Sequence, residues 1–280
     1  MKRLFCCLMI AVLFSVFPYA LSEESRSHSI FRLDEEGYLY YMDYTMDYYG
    51  PEVMNALKEG GFIDTGCSAF FTHDPEGNPI TCRNYDYPHR VSQEDRTLTG
   101  LNVVLHCKPE GKYESIAMAD AVWYDEQNQL LQKGGPDLPG FDIHLLDILP
   151  YNCMDGINEK GLCVSILRVD IKPGEQPARM PIGSSMLVRY MLDDCANVPE
   201  AIRKVDTAIV VPEDWQGCHV FVTDADGRYA VIESRNGIVS VIESDIVTNF
   251  YLGSDDIEDY YRNGNLCEEA VRITDEYGNA

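Results

Sequence analysis

A thiol, a guanidinium and a carboxylate stand close together in one stretch of this chain. Cys67 lies in Thr65-Gly66-Cys67-Ser68-Ala69-Phe70-Phe71, and Arg83 and Asp86 follow in Ile80-Thr81-Cys82-Arg83-Asn84-Tyr85-Asp86. Between them, Asp74-Pro75-Glu76-Gly77-Asn78 carries turn chemistry, so the spacing predicts a hairpin. The simplest register sets Cys67 opposite Tyr85 and puts residues 67, 69, 83 and 85 on one face. Arg83 is then the diagonal neighbour of Cys67, about 7–8 Å away at the backbone and within reach of a long side chain. Cys82 points to the other face, and Asp86 falls just past the end of the pair, beside the Cys67 amide.

That placement gives each residue a distinct capability. A guanidinium near sulfur favours the thiolate, the reactive form. A Cys–His dyad would need a histidine held against the thiol. None of the six histidines carries such a signature: His28 precedes the hairpin and the others fall in turns or strands. An N-terminal cysteine supplies its own base, the α-amino group, with an intrinsic pKa of about 7.7–8.0. Cys67 gains that base only if everything before it is removed, and Gly66 is small enough to permit attack on the preceding carbonyl. A carboxylate at Asp86 matters most if the Cys67 nitrogen is a free amine. The bland reading of Cys67, a buried strand residue or half of a disulfide, is the one composition alone favours.

The motifs tip the balance. Gly66-Cys67-Ser68-Ala69-Phe70 followed by Arg83-Asn84-Tyr85-Asp86 resembles the opening of N-terminal-nucleophile hydrolases of the choloylglycine hydrolase and linear amide C–N hydrolase group. Asp155-Gly156-Ile157-Asn158-Glu159-Lys160-Gly161-Leu162 is similar to that group's NEKGL-type turn, and Val247-Thr248-Asn249 to its late TN motif. The resemblance implies Cys67 as nucleophile and its freed amine as base. It further implies Arg83 tuning the thiolate, Asp86 holding the amine, and Asn249 donating its amide to the oxyanion. It makes Asn158 a turn residue. It implies no cofactor and no metal. Where bile salt hydrolases place a site asparagine after the turn, this chain has Arg168, a substrate-binding candidate suited to an acidic group. The group's further arginine after the TN motif has no match before Ala280, which sets the expectation of a C-terminal truncation.

The rest of the sequence bounds the context. Lys2 and Arg3 precede an apolar run from Leu4 to Phe17, then Pro18 and Ala20-Leu21-Ser22, so residues 1–22 read as a signal peptide and the chain as secreted or extracytoplasmic. An uncleaved anchor is the rival reading, but the run is short for a span. Lys+Arg number 22 against 46 Asp+Glu, a formal charge of −24; such a surface repels phosphate backbones and excludes nucleic acid as a natural partner. Membrane contact is expected only through the signal peptide. The expected partner is a small-molecule N-acyl amide, with assembly into a homo-oligomer left open. Ten cysteines show no CxxC pair or metal-type spacing, and several lie in apolar runs as small core residues. Asp224-x-Asp226-Gly227 has a faint calcium-loop look, but a tight hairpin explains the same residues.

The elements that must position the site are short. Residues 23–66, rich in Tyr, Met and acids, read as a prosegment or N-terminal helical segment, with a helix through 53–58. Residues 67–280 read as the catalytic domain. Strands are expected over 101–107, 115–123, 162–169, 218–223, 229–233, 238–244 and 246–250, with helices over 184–195 and 198–204. Helices between two blocks of antiparallel strands give a layered α+β domain. The family resemblance sharpens this to a four-layer αββα sandwich of antiparallel sheets. The expected function is an exported amidase acting through a thioester. The alternatives are an acyltransferase of the same fold and a noncatalytic secreted binding protein.

Overall fold

Asp74 fixes the hairpin that carries Cys67. Its carboxylate accepts from the backbone N–H and the side-chain amide of Asn78, each at 2.7 Å, while Gly77 N–H donates to the Asp74 carbonyl. Gly77 sits at φ +85, a left-handed conformation that glycine adopts without strain. The two strands it joins, β3 (Gly66–His73) and β4 (Pro79–Asp86), pair antiparallel from His73 opposite Pro79 to Gly66 opposite Asp86. Cys67 therefore faces Tyr85, the register the turn chemistry predicts. On the other edge of β3, Ile246 and Val247 pair with Phe70 and Ala69.

The computed structural model describes residues 29–35, 39–44, 66–86, 102–120, 135–137, 139–169, 184–207, 217–235 and 238–253. The signal peptide expected at 1–22, the helix expected through 53–58 and the helix-like stretch expected at 268–277 lie outside these residues. The remaining strands are β1 (Ser29–Arg32), β2 (Leu39–Tyr44), β5 (Asn102–Cys107), β6 (Ser115–Asp120), β7 (Cys153–Asn158), β8 (Cys163–Val169), β9 (Gly217–Thr223), β10 (Tyr229–Arg235), β11 (Ile238–Ile242) and β12 (Ile246–Val247). Nine of the strands form one sheet in the order β1-β2-β5-β6-β7-β8-β9-β10-β11, and β12-β3-β4 form a second. Two helices, α1 (Ser184–Asp194) and α2 (Val198–Thr207), cover one face of the large sheet.

Alternation along the strands sorts the core into two layers. Val164 and Ile166 of β8, with Val220 and Val222 of β9, pack against Leu187, Val188, Met191 and Leu192 of α1. Their neighbours Leu167 and Phe221, with Val231, face the small sheet and meet Cys67, Ala69, Phe71 and Val247. The result is an α+β sandwich of helices, large sheet and small sheet. The fourth, outer helical layer of the expected αββα arrangement is not seen among the described residues. The large sheet also departs from purely antiparallel pairing, because β2 runs parallel to β5.

That parallel pair comes from the segment read as a prosegment or helical piece. Residues 29–44 form two strands, and β2 alternates with Tyr40, Met42 and Tyr44 buried in the main core. Leu39 and Tyr41 on the opposite face are also apolar or aromatic, so the period-2 signal is blurred in the sequence.

The NEKGL-type turn is a structural clamp. Asn158 donates its amide to the carbonyls of Leu192 and Cys195 at 2.8 Å each, and its oxygen accepts from Lys160 and Leu162. The turn between β7 and β8 is thereby tied to the C-terminal end of α1. A Cβ at Gly156 would lie 2.7 Å from the Ile116 carbonyl and 2.7 Å from Leu192, so only glycine fits between sheet and helix there. The Asp224 carboxylate is spent on protein donors: the amides of Val198, Asp226 and Arg228 and the Arg228 guanidinium. It caps α2 and closes a hairpin, and no group of three or more metal-ligating side chains forms among the described residues.

Candidate active site

Cys67 is engaged at both its sulfur and its nitrogen. It lies near the start of β3, only 8% exposed, in the layer between the sheets. Arg83, on the same face of the hairpin, donates from Nη2 to Cys67 Sγ at 3.5 Å. The same nitrogen donates to the Ile166 carbonyl on β8 at 2.6 Å, and the guanidinium lies 4.8 Å from the centre of the Tyr85 ring. A positive, hydrogen-bonding group at that distance favours thiolate over thiol.

A residue to which the sequence reading gives no role completes this part of the site. Asp155 on β7 places Oδ2 2.9 Å from Arg83 Nη1, with the two side chains 26% and 7% exposed. Burial pushes the Asp155 carboxyl up, and the Arg83 charge and hydrogen bond pull it partly back. Asp155 stands at the head of the quoted DGINEKGL stretch. Its signal is that an inward acid on a central strand requires a cation, and Arg83 is the cation the register supplies.

Asn249 holds the nitrogen. The backbone N–H of Cys67 donates to Asn249 Oδ1 at 2.7 Å, and Asn249 Nδ2 donates to the Arg168 carbonyl at 2.6 Å. An N–H on one side and a carbonyl on the other fix which way the amide is turned. An amide has two N–H groups, so one remains for a further acceptor after the Arg168 carbonyl has taken the first.

Arg168 reaches this centre through its main chain. On β8 it stands in line with Val164 and Ile166 and opposite Cys218, all of which face the helices. Ser165 and Leu167 face the small sheet. The expectation of a guanidinium in the substrate pocket thus meets strand alternation, which turns that side chain to the helical face and leaves its carbonyl to orient Asn249. Asp86 pairs with Gly66 at the end of the hairpin, one step from Cys67; its side chain lies outside the described residues.

The other described cysteines differ from Cys67. All are free of disulfides. Burial pushes the thiols of Cys107 and Cys195 up to about 11 and that of Cys218 to about 12; Cys82, Cys153 and Cys163 are raised by the same cause. Beside the site, an open cavity of about 640 Å³ has Ile80, Ile116, Met118 and Ile157 on its walls, with Arg83 and Asp155 at one side.

Residues 142–269 match the family model described as acyl-coenzyme A:6-aminopenicillanic acid acyl-transferase. Among solved structures the chain is similar to penicillin V acylase from Agrobacterium tumefaciens, at 20% identity and TM-score 0.38, covering 65% of this chain and 52% of that one. It is also similar to two variants of conjugated bile acid hydrolase from Clostridium perfringens. One is 17% identical with TM-score 0.42 and the other 16% with TM-score 0.40, each match covering 71% of this chain and 57% of the other. The chain thus spans little more than half the length of these structures. No curated protein matches it.

Proposed function

We propose that this protein is an exported cysteine amidase of the N-terminal-nucleophile type, switched on by scission of the Gly66–Cys67 bond. The observation that carries the reading is the double engagement of one residue, Cys67, with Arg83 on its sulfur and Asn249 on its nitrogen. A structural cysteine has no need of both. Scission turns the peptide nitrogen into an amine that stays within reach of Asn249 Oδ1. That amine takes the thiol proton as sulfur attacks the carbonyl of a linear N-acyl amide. The second N–H of Asn249 Nδ2 is available to the oxyanion of the tetrahedral intermediate. Collapse expels the amine product, which takes up a proton, and leaves a thioester on Cys67; water then releases the acid. Substrates of the bile salt, penicillin V and N-acyl amino acid kinds share the required bond, and the apolar walls beside Arg83 suit an apolar acyl group.

Acyl transfer is the second reading, because the matching family model bears the name of an acyl-transferase. It differs only in the nucleophile that takes the acyl group from sulfur. Intact-mass analysis of the purified chain tests the common ground: a product beginning at Cys67 is expected, absent in Cys67→Ala. Turnover of an N-acyl amide by a chain still joined across Gly66–Cys67 would sink the mechanism. Added amine then separates the readings, since only a transferase yields more new amide than acid.

A further inference from the structure

A second buried polar cluster, apart from the one around Cys67, Arg83 and Asp155, lies in the layer between the two sheets. His219 of β9 and Glu233 of β10 are cross-strand partners, both buried, with His219 Nε2 2.8 Å from Glu233 Oε1. They stand on the face that carries Phe221 and Val231, among residues where hydrophobic side chains would pack as well. A buried acid–imidazole pair is weak evidence for stability, and apolar replacements of such pairs are often neutral or stabilising. Its presence there calls for another account.

What the pair holds is the segment bearing Asn249. His219 Nδ1 donates to the Thr248 carbonyl at 3.1 Å, one residue before Asn249. Because a carbonyl only accepts, that nitrogen must carry the proton. Glu233 accepts from the backbone N–H groups of Leu252 at 2.6 Å and Gly253 at 3.1 Å, just beyond Asn249. Tyr251 turns its ring edge-on to His219, with centroids 5.8 Å apart. Segment 248–253 is therefore bound on both sides of Asn249 by two neighbouring strands of the large sheet. Burial works against ionisation of Glu233, but His219 and the two amides outweigh it and hold the carboxyl below the usual range.

We propose that His219 and Glu233 form a positioning pair that sets Asn249, and through it the Cys67 nitrogen, in the geometry used for scission and turnover. The catalytic part of this inference rests on the Cys67 reading; the geometric part does not. His219 acts through Thr248 and Glu233 through Leu252 and Gly253, and neither touches the reacting atoms. Displacement of a reacting group by about 1 Å can cost about 10²-fold in rate, so the pair matters to turnover without contributing chemistry.

The test uses the full chain carrying Cys67→Ala, which keeps residues 66 and 67 joined. Amide hydrogen exchange is followed by NMR at the residue-67 N–H and the Asn249 side-chain amide, with Val164 and Val188 as references. The double variant His219→Leu/Glu233→Leu leaves no lone buried charge. It is expected to keep the reference protection and lose about tenfold or more at residue 67 and Asn249. Glu233→Gln, which keeps an acceptor for Leu252 N–H but sets an amide nitrogen against Gly253 N–H, is expected to lose less protection than the double variant. Unchanged protection at residue 67 in the double variant overturns the proposal, as does loss of the whole fold in both variants, which would make the pair a core element.

With Cys67 restored, kcat of the double variant is expected to fall about 10- to 100-fold with KM within about twofold. Full kcat in that variant also overturns the proposal. A parent chain that neither matures at Cys67 nor turns over sinks the Cys67 reading alone, because the exchange comparison still decides the placement of Asn249.

Discussion

Asn249 binds Cys67 by its backbone nitrogen, across 182 residues of sequence, while its other amide atom is anchored on the Arg168 carbonyl. The contact joins the start of β3 to the residue two places after β12, the strand that pairs with β3. On the proposed mechanism, a single side chain thus relates the nitrogen that would become the base to the position where an oxyanion would form.

Asn249→Leu should separate this pairing from mere packing. It removes both the acceptor facing Cys67 N–H and the donor available to an oxyanion. Loss of one oxyanion donor typically lowers kcat by about 10²–10³. The expected outcome is a loss of that order in steady-state assays, with slowed appearance of the Cys67 N-terminus by mass spectrometry. Asn249→Asp should fare no better, because it sets a carboxylate oxygen against the Arg168 carbonyl.

Arg83 is bound to Cys67, Asp155 and Ile166 at once, and its removal has a pH signature. In Arg83→Met, Asp155 loses the charge that pulls its burial-raised carboxyl back toward normal. Its folded-state pKa then rises further above the unfolded value of about 3.9. A group raised in this way contributes stability that is full below the unfolded pKa and is lost as pH rises through the folded one. The variant should therefore lie closest to the parent in stability near pH 4 and fall behind toward pH 7. Denaturant melts at several pH values check this; a deficit that is constant or widens on acidification refutes it. Alkylation of Cys67 should also need a higher pH in the variant, since the thiolate has lost its donor.

The hairpin was legible because its information is local. Asp74, Gly77 and Asn78 dictate the turn, the turn dictates the register, and the register brings Arg83 to Cys67. The helices were legible for the same reason: Asn197 and Glu200 make reciprocal capping contacts, and Pro199 sits in the first turn of α2. What was hidden depends on contacts between distant strands. Asp155 meets Arg83 only because β7 lies beneath β4, and His219 meets Thr248 only because β9 faces the segment after β12. Arg168 was placed in the pocket by analogy with a motif position, whereas alternation along β8 decides which face its side chain occupies. The strand β2 went unread because Tyr41 is aromatic on the outward face and Tyr40 and Tyr44 on the inward one.

That strand carries the next prediction. Tyr40, Met42 and Tyr44 are buried in the same core as α1 and β8, and β2 bonds to β5 along its whole length. Cutting the chain before Cys67 severs a covalent bond but none of these contacts. The N-terminal piece containing β1 and β2 should therefore remain attached after scission. Size-exclusion chromatography of matured protein should show both pieces in one peak, parting only in denaturant. Met42→Ala should cost about 2–5 kcal/mol by the cavity it leaves. Mature protein that sheds the piece in native buffer and keeps its melting temperature would contradict this.

The final prediction concerns which sulfur reacts. Six described thiols are held up by burial, to about 11 at Cys107 and Cys195 and about 12 at Cys218, so each carries less thiolate near pH 8 than an ordinary cysteine. Cys67 is itself mostly buried, but its sulfur accepts from Arg83, and scission before it removes the chain that continues from its nitrogen. Brief treatment with iodoacetamide at pH 8, followed by peptide mapping, should therefore modify Cys67 well before the other six in matured protein. In the joined chain Cys67 should label slowly. Arg83→Met should slow the matured form toward the other thiols, while Asn249→Leu, which leaves the guanidinium in place, should change the labelling rate far less than it changes turnover. If Cys82 or Cys163 reacts first in the matured protein, the preference for Cys67 as nucleophile loses its electrostatic basis.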